Sequence, residues 1–396
     1  MRLMRAARIC LFLIAAALPL ASAAGSPAAR ADESGVCVPV GAWVVPGSEK
    51  KQENVIETLA RHEVVLLGEL HDEAEHHRWQ LHTIAALFNY RPDMVLGFEM
   101  FPRSVQPVLD RWSKGELDET AFLREVDWSR NWGMNPEFYM PLFHFARMHR
   151  LPMLALNIDR ETNRRVAQRG LAALGSEREG VGDPVAASPS YRDRLFELFK
   201  THPPGSAEAN AEAKADSEAF SYFVEAQIFW DRAMAEAIAG ALRNERRPLV
   251  VGIMGRGHVE YGDGVVRQLA ALGVNDVASA LPWNSSDCPI PDPGIANLLF
   301  GLAPPAETRA PPPRLGVVVS AAETGVKIDQ VVSQSVAEAM ALQVGDVIET
   351  AAGVSVRRPA DLVAVIRRQA PGTWLPLSVR RGEATSEMVA RFPAQP

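Results

Sequence analysis

Val64-Val65-Leu66-Leu67-Gly68-Glu69-Leu70-His71 is the stretch on which the reading of this chain turns. A short, wholly apolar run ends in a glycine, a carboxylate and an imidazole. Leu249-Val250-Val251-Gly252-Ile253 repeats the design and leads into Gly255-Arg256-Gly257-His258. Similar runs fall at 94–98, 153–156 and 277–281, and helical periodicity fills 73–88, 104–112, 160–174, 191–199, 215–243 and 264–272. Strands that are apolar throughout and alternate with helices indicate a mostly parallel sheet covered by helices on both faces. Right-handed crossovers then bring the carboxyl ends of the strands to one edge, where α/β proteins hold ligands.

The polar residues that end these runs are the candidate site. Glu69 and His71 follow the first run, Glu99 the second, Asn157 and Asp159 the third, and His258 the fourth. Along 215–243 an apolar stripe passes through Phe220, Phe223, Val224, Met234 and Ile238, and Gln227 and Asp231 stand on it, four residues apart and stacked on one helix face. A carboxylate in such a stripe needs a partner. Asp231 therefore either meets a buried arginine or hangs with Gln227 into the site.

The chain has 396 residues, room for more than one domain, and a formal charge of −7. Arg2, Arg5 and Arg8 precede a short apolar run and two A-x-A sites, the pattern of a secretory leader over residues 1–31. Removing it takes away four arginines and no acid, so the remainder is more acidic still. An acidic chain without a basic stripe excludes nucleic acid as the expected partner, and no other run is long enough to span a membrane. The expectation is an exported protein, periplasmic or secreted. Cys10 leaves with the leader, and Cys37 and Cys288 are expected to pair in an oxidising compartment.

Several motifs fail on spacing. His71, Glu75 and His76 match neither the His-Glu-x-x-His helix nor its inverse, so His76 and His77 are read as solvated or ring-packed. The third glycine of a dinucleotide fingerprint falls on Glu260. There is no Walker lysine and no Gly-x-Ser-x-Gly elbow.

Five separated motifs carry a family resemblance. Leu67-Gly68-Glu69-Leu70-His71-Asp72, His76-His77, Gly97-Phe98-Glu99-Met100-Phe101, Ala226-Gln227 with Asp231 and Met234-Ala235, and Gly255-Arg256-Gly257-His258 resemble, over roughly residues 40–282, the ChaN family of haem-binding uptake proteins. That family is related to Tiki-type proteases and erythromycin esterases. The resemblance implies an exported domain linked to iron acquisition that holds haem, sometimes between two subunits. An axial tyrosine is the residue to look for. Tyr222, beside Phe223 and near Phe229 and Trp230, is the first candidate and Tyr261 the second, with Gln227 and Asn157 lining the site. The protease and esterase relatives imply instead a hydrolytic centre. There Glu69, His71 and His258 would hold manganese or zinc or do base work, with Glu99 and Asp231 as partners.

Residues 303–313 are proline-rich and read as a stiff linker between a region spanning 32–302 and a tail spanning 314–396. In the tail, Val344-Gly345-Asp346-Val347-Ile348, a helix at 360–368 and a strand at 375–380 look like a PDZ domain of the kind attached to HtrA-type proteases. Such domains are mainly β and hold a C-terminal peptide along a sheet edge, here with Leu315-Gly316-Val317 as the carboxylate loop. Three readings follow: a haem- or iron-binding protein docked through its PDZ tail, with a homodimer as one form; a metal-dependent hydrolase; and a catalytically silent adaptor.

Overall fold

The computed structural model of the protein describes residues 37–48, 50–201, 214–243, 245–304 and 313–394. The expected leader and residues 305–312 of the expected linker lie outside them.

Eight strands form the first sheet: β1 (Trp43–Val44), β2 (Lys51–Gln52), β3 (Val64–Glu69), β4 (Met94–Pro102), β5 (Met153–Asn157), β6 (Leu249–Gly255), β7 (Val277–Asn284) and β8 (Leu298–Leu302), in the order β2-β1-β8-β7-β3-β6-β4-β5. From β8 to β5 every neighbouring pair is parallel, and only β1 runs antiparallel, against β2 and β8. The sheet is thus mostly parallel, as the apolar runs predict. β1, β2 and β8 escape the sequence pattern because two of them are two residues long and β8 is broken by Gly301.

The helices of this part are α1 (Val55–Leu59), α2 (Ala74–Tyr90), α3 (Gln106–Ser113), α4 (Glu119–Glu125), α5 (Trp128–Asn131), α6 (Pro136–Met148), α7 (Arg160–Arg169), α8 (Pro189–Thr201), α9 (Glu218–Leu242) and α10 (Val265–Ala271). Alternation along β3 shows that both faces are covered. Val65 and Leu67 enter one core with Ile84 of α2 and Phe143 of α6, while Val64 and Leu66 enter another with Ile238 of α9 and Leu269 of α10. Sequence periodicity does not reveal α4 to α6. α4 and α5 are short, and α6, which carries Pro141 inside it, is started by Pro136 behind an Asn135 cap whose side chain accepts from Glu137 N. No helix of the described residues is long and apolar enough to cross a membrane.

The C-terminal sheet is antiparallel. It contains β9 (Val317–Ala321), β10 (Val326–Val331), β11 (Val347–Ala351), β12 (Val354–Ser355), β13 (Trp374–Arg381) and β14 (Ala384–Arg391), with α11 (Val336–Ala339) and α12 (Pro359–Arg367). Its own core includes Leu315, Ile328, Ile348, Leu362 and Ile366.

Cys37 and Cys288 are bonded to one another and close a loop across 251 residues of sequence. Chain entropy makes such a closure worth about 5–6 kcal/mol. Cys37→Ser should therefore move the urea midpoint of the oxidised protein down by a corresponding amount. An unchanged midpoint would show that the bond constrains nothing.

Candidate functional site

The site is built by register. β6 lies between β3 and β4, with Glu69 level with Gly255 and Phe98 level with Ile253. Glu69 and Glu99 therefore leave their strands on either side of the point where β6 ends, and His258 follows within one turn. Gly255 permits the approach. A Cβ there would stand 2.8 Å from His71 Cε1 and 3.6 Å from Glu99 Oε2, and its N–H donates to Glu99 Oε2 at 2.6 Å.

His258 is 6% exposed and lies between two buried carboxylates. Its Nδ1 meets Asp231 Oδ1 at 2.6 Å, and its Nε2 stands 3.5 Å from Glu99 Oε1. Asp231 is held in turn by the Tyr191 hydroxyl, which donates to Oδ2 at 2.9 Å. Gln227 lies 3.2 Å from His258 Nδ1 and against Tyr191. Since Nδ1 carries its proton toward Asp231, the Gln227 amide is a donor to the tyrosine oxygen. A second pair flanks this chain: His71 Nδ1 meets Glu69 Oε1 at 2.6 Å, and the His71 ring packs edge-on to Trp132.

Burial opposes the charge on His258, but the fields of Glu99 and Asp231 outweigh it and raise the imidazole to about 10. His71 is raised in the same way, burial being overcome by its bond to Glu69 and by the field of Glu99. Burial would raise Glu99, yet the cation on His258 holds its carboxyl below the ordinary value. Burial raises the Asp231 carboxyl, against the opposing field and hydrogen bond of His258.

The loop bearing His71 is clamped by residues whose sequence spacing suggests no role. Leu70 N donates to His76 Nδ1 at 2.9 Å, His77 Nε2 donates to His71 O at 3.2 Å, and Tyr139 OH donates to the same carbonyl at 3.3 Å. Of the two expected alternatives His77 takes the ring-packed one, against Phe138 and Tyr139, and both His76 and His77 are buried rather than solvated. Burial, with Arg256 nearby, lowers His76 to about 4, which keeps it the neutral acceptor that Leu70 N requires.

Glu69, His71, Glu99, His258, Asp231 and Gln227 thus converge. Asp231 meets a histidine and a tyrosine, not the arginine that was one of its two expected partners. Asn157 is a brace: its Nδ2 donates to Glu99 O at 2.9 Å. Asp159 turns away to the Ser104 hydroxyl. Tyr222 does not reach the site. It stands nine residues, or two and a half turns, from Asp231 and so on the opposite face of α9. Its hydroxyl donates to Glu218 at 2.6 Å and its ring lies at Gly170. The aromatic surface expected beside it is core, because Phe229 is fully buried and Phe223 packs on Phe199. Tyr261 stays at the edge, 42% exposed, three residues after His258, with the Arg194 guanidinium 4.2 Å from its ring centre. Its hydroxyl has no partner among the described residues.

Of the residues expected to hold a metal, His258 has its Nδ1 taken by Asp231 and Glu69 has its Oε1 taken by His71, and no group of three His, Cys, Asp or Glu among the described residues is arranged to hold a metal ion. Glu69 Oε2, Glu99 Oε1 and Trp230 Nε1 are buried without a hydrogen-bond partner, and the Trp230 ring lies 5.0 Å from that of His258.

The tail's binding loop is legible in backbone terms. The carbonyls of Leu315 and Gly316 accept from Ala337 N and Val332 N. In a trans peptide the following N–H points the other way, so Gly316 N–H and Val317 N–H face outward. Gly316 has φ +83°, and a Cβ there would strike Ser335 at 2.2 Å. Leu315 itself is buried in the core.

A model of the family described as haem-binding uptake, Tiki superfamily, ChaN matches residues 55–269, and a PDZ-domain model matches residues 313–390. Among solved structures, the one showing cofacial haem binding to ChaN of Campylobacter jejuni is 17% identical and covers 65% of this chain and 95% of that one, with a TM-score of 0.51. The HtrA3 PDZ domain bound to a phage-derived ligand is 19% identical over 20% of this chain and 83% of that one, at a TM-score of 0.19. The HtrA-type protease AlgW with a decapeptide is 22% identical over 21% of this chain and 30% of that one, at 0.20. No curated protein matches.

Removing His258 strands two buried carboxylates. His258→Gln should cost about 3–5 kcal/mol at neutral pH. The folded imidazole sits at about 10 against 6.5 when free, so its stabilisation is complete below pH 6.5 and is lost as pH rises through 10. Urea titrations should show the parent losing stability along that limb more steeply than His258→Gln. Parallel limbs would contradict the ion-pair assignment.

Proposed function

The chain belongs to the ChaN family of haem-binding uptake proteins, and from that membership we propose that it binds haem at the outer edge of the site through Tyr261. The observation carrying this reading is the exposed, unpartnered Tyr261 hydroxyl beside Arg194. A phenolate is a good ligand for ferric haem iron. The guanidinium, one of whose nitrogens already bonds Asp263, has others that suit a propionate, and Leu198, one turn beyond Arg194 on α8, adds exposed apolar surface. Neither histidine is as open to an iron: His258 is buried with its Nδ1 held by Asp231 and its Nε2 facing Glu99, and the Cε1–Nε2 edge of the half-buried His71 rests against Gly255. Their part is to fix the strand ends from which Tyr261 projects.

In this reading the protein is exported by its leader and serves iron or haem acquisition, and the PDZ tail docks it to a partner through the outward N–H groups of Gly316 and Val317. Two copies sharing haem across the exposed edge would be a homodimer. Haemin titration followed at the Soret band tests the ligand. Tyr261→Phe should abolish the stoichiometric shift, and Tyr222→Phe should leave it intact. A full shift in Tyr261→Phe would refute the assignment.

The buried, unpartnered oxygens of Glu69 and Glu99 favour a second reading, in which the site orients a water for hydrolysis. Elemental analysis of the purified protein addresses its metal-dependent form. Stoichiometric manganese or zinc that Glu69→Ala loses would support it, and metal-free protein would remove it. A chain that binds neither haem nor metal would act through its PDZ tail alone.

A further inference from the structure

β9 is the edge of the C-terminal sheet, hydrogen-bonded to β10 only. Gly316 O accepts from Val332 N, so across the trans peptide the Val317 N–H points away from β10. Val317, level with Val331, is then a non-bonded position with its N–H and C=O facing away from β10. A strand added antiparallel along this edge, with its terminal carboxylate at Gly316 and Val317, has its upstream residues beside Val319 and Ala321. Opposed residues share a sheet face, so a side chain about two positions before the terminus stands level with Val319. Val317 and Val319 turn toward the core built with Leu362 and Ile366, which places that side chain on the α12 side of the groove.

The charge on α12 is lopsided. Arg357, Arg358, Arg367 and Arg368 flank or belong to it, against the single acid Asp361. Three of the four arginines have a structural explanation. Arg358 pairs with Asp361 at 3.0 Å, Arg368 pairs with Glu137 at 2.7 Å, and Arg367 in the last turn complements the helix dipole. Arg357 has none. It precedes the helix N-terminus, where the dipole disfavours a cation, its backbone N–H alone is bonded, and its guanidinium is exposed without a partner among the described residues. On the strand side the exposed charges are Arg314, Glu323, Lys327 and Asp329, two of each sign, so the positive bias comes from the helix side.

We propose that this groove selects protein C-termini that carry an acidic side chain about two residues before the terminal carboxylate, with Arg357 as the discriminating cation. The inference rests on the reading of the tail as a peptide-docking module and names the chemistry of the partner.

Fluorescence anisotropy on the full-length protein tests it with three short labelled peptides. All end in valine: one has glutamate two positions upstream, one has lysine there, and one is the glutamate peptide with an amidated terminus. The glutamate peptide should bind about five- to tenfold more tightly than the lysine peptide at low salt, and the gap should shrink at high salt. Arg357→Glu should invert the preference and Arg357→Gln should erase it, with melting temperatures unchanged as a folding control. Equal affinities, or a preference that survives Arg357→Glu, would overturn the selectivity while leaving peptide docking in place. Binding that is indifferent to amidation, or absent for all three peptides, would overturn docking itself and the selectivity with it.

Discussion

The protonated ring of His258 between Asp231 and Glu99 is the interaction on which this site depends. Three distant stretches of chain supply it: the end of β4, the middle of α9 and the turn after β6. Each carboxylate is fully buried and each alone would be costly. Together with the imidazolium they lock α9 across the carboxyl edge of the sheet. The Tyr191 hydroxyl then extends the chain of bonds to α8, and His71 with Glu69 repeats the pairing one strand over. Buried pairs of this kind contribute little net stability but penalise any arrangement that separates them, so the cluster works chiefly by fixing geometry.

That arrangement separates two chemistries. The relay is enclosed and ionic, whereas the edge immediately outside it presents a free phenol, a guanidinium and some apolar surface. A flat, amphipathic porphyrin suits the second environment and not the first. Membership of a haem-binding family and a buried acid–base cluster are therefore compatible within one small region. The cluster positions the edge, and in the proposed reading the edge is where haem would bind.

The parallel sheet and most of the relay can be read in the sequence because apolar runs terminate in polar residues, and a parallel sheet leaves those residues few places to go. Asp231 is legible because a carboxylate in an apolar helical stripe demands a partner. The identity of that partner is not legible, since nothing local distinguishes a histidine 27 residues away from an arginine. Tyr222 misleads because proximity in sequence to Gln227 hides the helix phase that sends it to the other face. The roles of Tyr191, His76, His77 and Tyr139 escape notice for a related reason. They act on backbone carbonyls, amides or other side chains brought near by tertiary packing, and such contacts leave no spacing signature. The short strands β1 and β2 and the interrupted β8 are set by neighbours in the sheet rather than by their own residues.

The most direct test of this account is the protonation state of His258. Nitrogen-15 spectra of the imidazole side chains at pH 8 should show His258 with both ring nitrogens protonated, and Asp231→Asn should bring its titration down toward the ordinary histidine range. A His258 ring that is neutral at pH 8 in the parent protein, titrating near 6.5 as a free imidazole does, would contradict it.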